Sequence, residues 1–257
     1  MKRKGATEQS KQPVVIIGGS GFGERLGMMR AERRMIDTAF GNVPVLVSRH
    51  ADRDVFAIQR HGKGHTVPPH KVNYRAIIRV AEIVEAKAIL ASSAVGVINT
   101  DCYAPKDLIL GAGIMPWHLT IDGGPVTFFS GDGQAVHTDL SEPFSFKLNQ
   151  LLLRTAEKLG IRLRAGATLV TTQGPRYETV AEIRTFHILG YSLVGMTTAY
   201  EAILAAEVGI PYAVVAVGTN PAAGISGKRL SHEEVKKVFK ERAEDIFKLF
   251  MGAIERM

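Results

Sequence analysis

The sequence predicts an α/β protein with a mixed sheet covered by helices on both faces. Short apolar runs rich in valine and isoleucine alternate with stretches of helical periodicity. Those runs lack the polar alternation of a sheet wetted on one side, so both of its faces are buried. The 257 residues, 46% hydrophobic and 22% charged, suffice for one substantial core. No linker composition and no internal repeat divides them.

The basic, polar opening "MKRKGATEQSKQP" is expected to form a flexible tail over residues 1–13, with one folded domain over 14–257. "VVII" is a short buried strand, and "PVLVS" and "DVFAIQR" are a strand pair joined by a turn around Asp52. Tyr74 to Ala86 is a helix, because Ala76, Ile77, Val80, Ala81 and Val84 recur at helical spacing. "KAILASSAVG" is a buried strand entering a glycine loop, and "DLIL" and "PVTFF" are further strands. A helix runs from Pro143, a residue suited to a first turn, to Leu159. Then strand and helix alternate: "ATLVTT", Thr179 to Ile188, "YSLVGM", Ala199 to Glu207, "YAVVAVGT". Ser231 is suited to cap a long last helix reaching Arg256, with Glu233 and Glu234 at its positive end.

Composition excludes several classes. Cys102 is the one cysteine, so there is no internal disulfide, which fits a reducing compartment. The apolar run at 14–17 is too short for a signal-peptide core, and no segment approaches the ~20 apolar residues that span a bilayer. A cytoplasmic protein without membrane contact is expected. The net charge of +7 raises the possibility of nucleic acid. Many of the positives sit at the chain ends, at Lys2, Arg3 and Lys4 and at Lys236, Lys237, Lys240 and Arg242. No arginine-rich arm or zinc spacing accompanies them, and a small anionic substrate explains positive charge equally well. Nucleic acid is not expected as a partner.

Chemistry concentrates at the predicted strand ends, where α/β proteins bind ligands. "IIGGSGFGE" offers backbone N–H groups to an anion after a strand. "QRHGKGHTVPPHKVNYRA" brings an arginine and histidines to a proline-containing loop, a pattern suited to an oxyanion. "ASSAVG" adds two hydroxyls. "TTQGPRYETVAEI" sets an aromatic beside a carboxylate, which suits a flat heterocycle carrying N–H donors. "AVGTNPAAGIS" ends a strand on an amide able to donate and accept. The alternative is that these are ordinary polar loop residues. A dinucleotide-binding oxidoreductase built on "GGSGFGE" is an alternative, but the spacing is not G-x-G-x-x-G, and the acids after the second strand, Asp52 and Asp54, fall in a turn. No metal site is expected, since the histidines lack H-x-x-x-H spacing and no carboxylate cluster joins them.

In order along the chain, "IIGGSG", "RHG…H…PPHKVNYRA", "GPRYETVAEIRTF…G…VGMT…E…LAAEVGIPYA" and "TNPAAG" resemble the motifs of the trimeric purine nucleoside phosphorylase family. The matching branch is the one that includes the methylthioadenosine and methylthioinosine phosphorylases. The resemblance runs from about Val14 to the final helix. It implies a single domain with a partly barrel-like sheet and cleavage of the purine–ribose bond by inorganic phosphate. Phosphate is then a co-substrate, and no cofactor or metal is needed.

The resemblance also implies roles. Phosphate would be held by Ser20, Arg60, His61, Ser93, Ala94 (through its N–H) and Thr197. Met196 would border the ribose and Tyr177 the base or sugar. His137 resembles a histidine that reaches the 5′ region of a neighbouring subunit's site, which implies a homo-oligomer, a trimer or a dimer of trimers. His65 and His70 are expected to support their loop rather than touch substrate. Glu178 stands where adenine-type enzymes have serine, and Asn220 where they have aspartate. With His61 these two are the catalytic candidates. A carboxylate accepts the proton on ring nitrogen 1 of a 6-oxopurine but faces a lone pair on adenine, and such a mismatch costs ~1–3 kcal/mol. Inosine and guanosine are therefore the expected substrates. His232, in "HEEV", resembles the histidine that bonds a 5′-hydroxyl. Methylthioinosine or methylthioadenosine remains the alternative.

Overall fold

A computed structural model describes residues 11–18, 31–129, 131, 133 and 135–257. Its strands are β1 (Lys11–Gly18), β2 (Glu32–Thr38), β3 (Gly41–His50), β4 (Arg53–Gln59), β5 (Ala88–Val97), β6 (Leu108–Pro116), β7 (Leu163–Thr171), β8 (Leu193–Gly195) and β9 (Tyr212–Pro221). The helices among the described residues are α1 (Tyr74–Ile83), α2 (Phe146–Leu159), α3 (Val180–Ile188), α4 (Thr198–Glu207) and α5 (His232–Glu255). One nine-stranded mixed sheet runs β2-β3-β4-β1-β5-β8-β7-β6-β9, and β9 returns to pair with β5. That last pairing closes β5, β8, β7, β6 and β9 into a ring, from which the remaining strands extend as an open wing.

The apolar runs found by sequence are the buried centre. Val14, Val15, Ile16 and Ile17 are fully buried between parallel β4 and β5. Alternate side chains of β1, β5 and β9 enter two different cores. Val15, Ile17 and Ile89 pack with α1 and α4, whereas Val14, Ile16 and Leu90 pack with α2 and α5. That is why these strands show no polar alternation.

Several expected boundaries move. β1 starts at Lys11, so Lys11–Pro13 belong to the sheet, held by Arg53 Nη1 donating to the Gln12 carbonyl at 2.8 Å. β2 was not expected; its largely exposed residues give little apolar signal, and its partner β3 defines it. "PVTFF" forms no strand. There the Phe128 N–H donates to Glu207 Oε2 at 2.7 Å, and the Phe128 ring packs on Phe40 and Arg79 rather than in a ladder. α1 stops at Ile83, before Ala86, and α2 begins at Phe146, capped by Ser145, rather than at Pro143. Ser231 occupies the N-cap position of α5, but its side chain makes no capping bond. Among the described residues no helix is long and apolar enough to cross a membrane.

The topology positions the site. β1, β4, β5 and β9 are mutually parallel, so their carboxyl ends share one side. β8 runs antiparallel to β5 and delivers the residues after it alongside that edge.

Candidate active site

Over these carboxyl ends lies a cavity of about 380 Å³, within the range of small-molecule sites. Ten residues singled out from the sequence line it: Arg60, His61, Ser93, Ala94, Tyr177, Glu178, Met196, Thr197, Asn220 and His232. They come from chain segments up to 172 positions apart, so only the fold brings them together. His137 is exposed and does not line the cavity of its own chain. Ser20 lies outside the described residues, as does the glycine stretch around it.

One wall is cationic. Arg60 follows β4 and is 3% exposed. Its guanidinium is gripped by Glu201 of α4, with Nε donating to Oε1 and Nη2 to Oε2 at 2.9 Å. Nη1 donates to the Ser92 carbonyl at 2.9 Å. Tyr212 supports Glu201 through a 2.8 Å hydrogen bond to Oε2. Burial opposes the arginine's charge, but the Glu201 carboxylate outweighs it and raises the guanidinium's pKa. Of the five N–H groups three are used, which leaves two to donate elsewhere. The hydroxyls of Ser93 and Thr197 lie 3.5 Å apart beside it.

The histidines adjoin this wall. His61 Nδ1 lies 2.9 Å from the Val67 carbonyl. Burial first, then the Arg60 charge, pushes the His61 pKa down to about 3. His65 was expected only to support the loop, but it lines the cavity. The loop turns through left-handed backbone at Gly62, Gly64 and His65, and the His65 ring lies 4.3 Å from that of His61 and 5.0 Å from that of His232. His70 is exposed and lies off the cavity.

The lining also carries a carboxylate and an amide, Glu178 and Asn220. Thr179 and Glu182 form a capping box that starts α3, and Arg176 pairs with Glu182 through two 2.8 Å bonds. Together they fix the loop carrying Tyr177 and Glu178. Glu178 is 8% exposed and accepts from Thr172 Oγ1 at 2.7 Å. Burial pushes its pKa upward, against the Thr172 bond. The Asn220 amide is oriented by Pro221, whose carbonyl accepts from Nδ2 at 2.8 Å; the Thr219 hydroxyl lies 2.8 Å from Oδ1. One Nδ2 hydrogen remains to donate. Gly174 has φ 66°, and a Cβ there would stand 2.7 Å from Met196 Sδ, so a larger residue would push the methionine out of the lining.

Glu201, Tyr212, Thr172 and Thr219 were given no role from the sequence. Glu201 carried a faint signal: a carboxylate in the apolar stretch "TAYEAILAA" is a charge that must be paired if that face is buried. Among the described residues, no group of three or more histidine, cysteine, aspartate or glutamate side chains is placed to hold a metal ion.

A family model described as "Phosphorylase superfamily" matches residues 13–255. The chain is 42% identical over 242 residues to a probable S-methyl-5′-thioinosine phosphorylase of Methanopyrus kandleri, covering 94% of this chain and 91% of that one. It is 39% identical over 247 residues to a 6-oxopurine nucleoside phosphorylase of Pyrococcus furiosus, at the same coverage. Its fold is similar to methylthioadenosine phosphorylase from Schistosoma mansoni in complex with tubercidin, with a TM-score of 0.86 and 26% identity over 95% of this chain and 91% of that one.

Proposed function

Because the chain belongs to the phosphorylase superfamily, we propose that it cleaves 6-oxopurine nucleosides such as inosine and guanosine with inorganic phosphate, releasing free base and ribose 1-phosphate. The observation that carries this reading is one cavity lined by a buried guanidinium and also by a buried carboxylate and amide. Arg60, His61, Ser93, Thr197 and the Ala94 N–H would hold phosphate. Glu178 would accept the ring nitrogen 1 proton, and the unused Asn220 N–H would donate to the 6-oxygen or to nitrogen 7. Met196 and Tyr177 would border sugar and base.

The reaction breaks the bond between C1′ and the purine while a phosphate oxygen bonds C1′. The departing electron pair goes to the purine, and positive charge gathers on the sugar. Catalysis is then orientation of two reactants plus electrostatic stabilisation by fixed groups. Phosphate supports the sugar cation, and the Asn220 donor supports the purine anion. This chemistry requires no cofactor, metal or covalent nucleophile from the protein. A cytoplasmic role in purine salvage and a homo-oligomer, trimer or dimer of trimers, with His137 reaching a neighbouring site, complete the proposal.

A methylthio group at 5′ is the second reading. Leu230, Val235 and Phe239 line the cavity alongside His232, an apolar surface suited to a thioether. The test is to incubate the protein with phosphate and inosine, guanosine, adenosine, methylthioinosine or methylthioadenosine and to assay free base. Rapid phosphate-dependent release from inosine and guanosine is expected. Equal release in phosphate-free buffer would make the protein a hydrolase.

His232→Ala separates the 5′ readings. It is expected to slow inosine more than its 5′-deoxy or methylthio analogue, because only the hydroxyl loses a partner. A lost hydrogen bond of ~1 kcal/mol corresponds to about fivefold in kcat/KM. Equal slowing of all three substrates would remove His232 from the 5′ site.

A further inference from the structure

The phosphate wall holds an acceptor as well as donors. A backbone carbonyl can only accept a hydrogen bond, so the 2.9 Å contact between His61 Nδ1 and the Val67 oxygen requires the proton on Nδ1. In a neutral imidazole the second nitrogen, Nε2, then carries a lone pair. The Val67 N–H bonds back to the His61 carbonyl at 2.9 Å, so a two-way clasp holds this loop and ring. The arrangement differs from the rest of the wall. Arg60 can only donate, and the Ser93 and Thr197 hydroxyls can turn either way.

We propose that His61 Nε2 accepts the hydrogen bond from the O–H of hydrogen phosphate, so that the site selects a protonated tetrahedral anion over an unprotonated one of the same shape and charge. Inorganic phosphate keeps at least one proton at neutral pH, and sulfate keeps none. Hydrogen phosphate therefore satisfies Arg60 with its bare oxygens and His61 with its O–H. Sulfate would set an oxygen lone pair against the Nε2 lone pair. Burial and the neighbouring Arg60 charge, which hold the imidazole in its neutral form, act in the same direction. The inference rests on the phosphate reading of the cavity and specifies which ionic form enters it.

The test uses the whole protein at pH 7.5. Calorimetric titration with sodium phosphate and with sodium sulfate is expected to give phosphate binding at least about tenfold tighter. In His61→Ala both anions should bind weakly and the ratio should fall towards one. Nitrogen NMR of histidine-labelled wild-type protein supplies a readout that needs no variant. The histidine whose signals phosphate moves should show a protonated Nδ1 and an unprotonated Nε2 before phosphate is added. Sulfate binding as tightly as phosphate, or a free-protein Nε2–H tautomer or imidazolium, would overturn the proposal and leave phosphorolysis standing. Binding of neither anion would overturn the phosphate reading of the cavity with it.

Discussion

Glu201→Ala is expected to destabilise the protein by about 3–5 kcal/mol and to raise the KM for phosphate sharply. Glu201 is fully buried, and its carboxylate takes two N–H bonds from Arg60 and one O–H from Tyr212. Removing it leaves a buried, uncompensated guanidinium, the situation in which losing one ion-pair partner costs that much. The penalty is a large share of the ~5–15 kcal/mol that stabilises a typical domain. The freed arginine also loses the fork that aims its two remaining N–H groups, so phosphate affinity falls with stability. Glu201→Gln keeps the shape and an acceptor for Tyr212 but loses the charge, and should fall between the two. Arg60→Ala should raise the phosphate KM as sharply, while stranding Glu201 instead. Urea unfolding and initial rates against phosphate concentration check both effects. A Glu201→Ala protein with wild-type stability and wild-type phosphate KM would show that the pair neither supports the core nor aims Arg60.

The second large effect concerns the base. Asn220→Asp with Glu178→Ser is expected to lower inosine phosphorolysis and to raise activity on adenosine-type substrates. An ionised aspartate repels a 6-oxygen, but it accepts from a 6-amino group. Serine at 178 removes the partner of the ring nitrogen 1 proton and also the charge facing adenine's lone pair. Each change alone should cost inosine ~1–3 kcal/mol of transition-state stabilisation, about five- to 150-fold in kcat/KM. The effects should not add simply, because both residues address one base. The supporting hydroxyls sharpen the expectation. Thr172 donates to Glu178, so Glu178→Ser leaves that buried hydroxyl to find another partner, whereas Asn220→Asp keeps an oxygen beside Thr219 but sets its second oxygen against the Pro221 carbonyl that Nδ2 bonds in the wild type. Rates with inosine and adenosine for the wild type, both single variants and the double variant test the scheme. Wild-type protein that cleaves adenosine as fast as inosine would end the assignment of Glu178 and Asn220 as oxopurine readers.

The two variants probe residues of unequal visibility in the sequence. Glu178 and Asn220 stand out there because each follows a strand and breaks local chemistry: a carboxylate after an aromatic, an amide after an apolar run. Glu201 sits in the first turn of a helix, where a carboxylate is ordinary, and only the structure shows that most of that helix is buried. His65 was legible as a loop histidine but not as a cavity residue, because its ring position depends on left-handed backbone at Gly62, Gly64 and His65 itself. β2 went unseen because its side chains are largely exposed and lack an apolar pattern. "PVTFF" misled because apolar composition does not reveal that a backbone donor is taken by a side-chain carboxylate, Glu207.

The sequence by itself determined the fold class, the positions of nearly all the buried strands and helices, and the residue types available at each strand end. These are local properties: hydrophobic periodicity, glycine and proline punctuation, caps. Only the tertiary structure decided that β9 returns to β5 and closes the ring, that Arg60 is clamped from α4 across 141 positions, and that three imidazoles stand in one row. Those outcomes depend on contacts between residues far apart in the chain. Such contacts follow from burial of whole faces, because a charge or ring that must leave water takes the partner that packing brings to it.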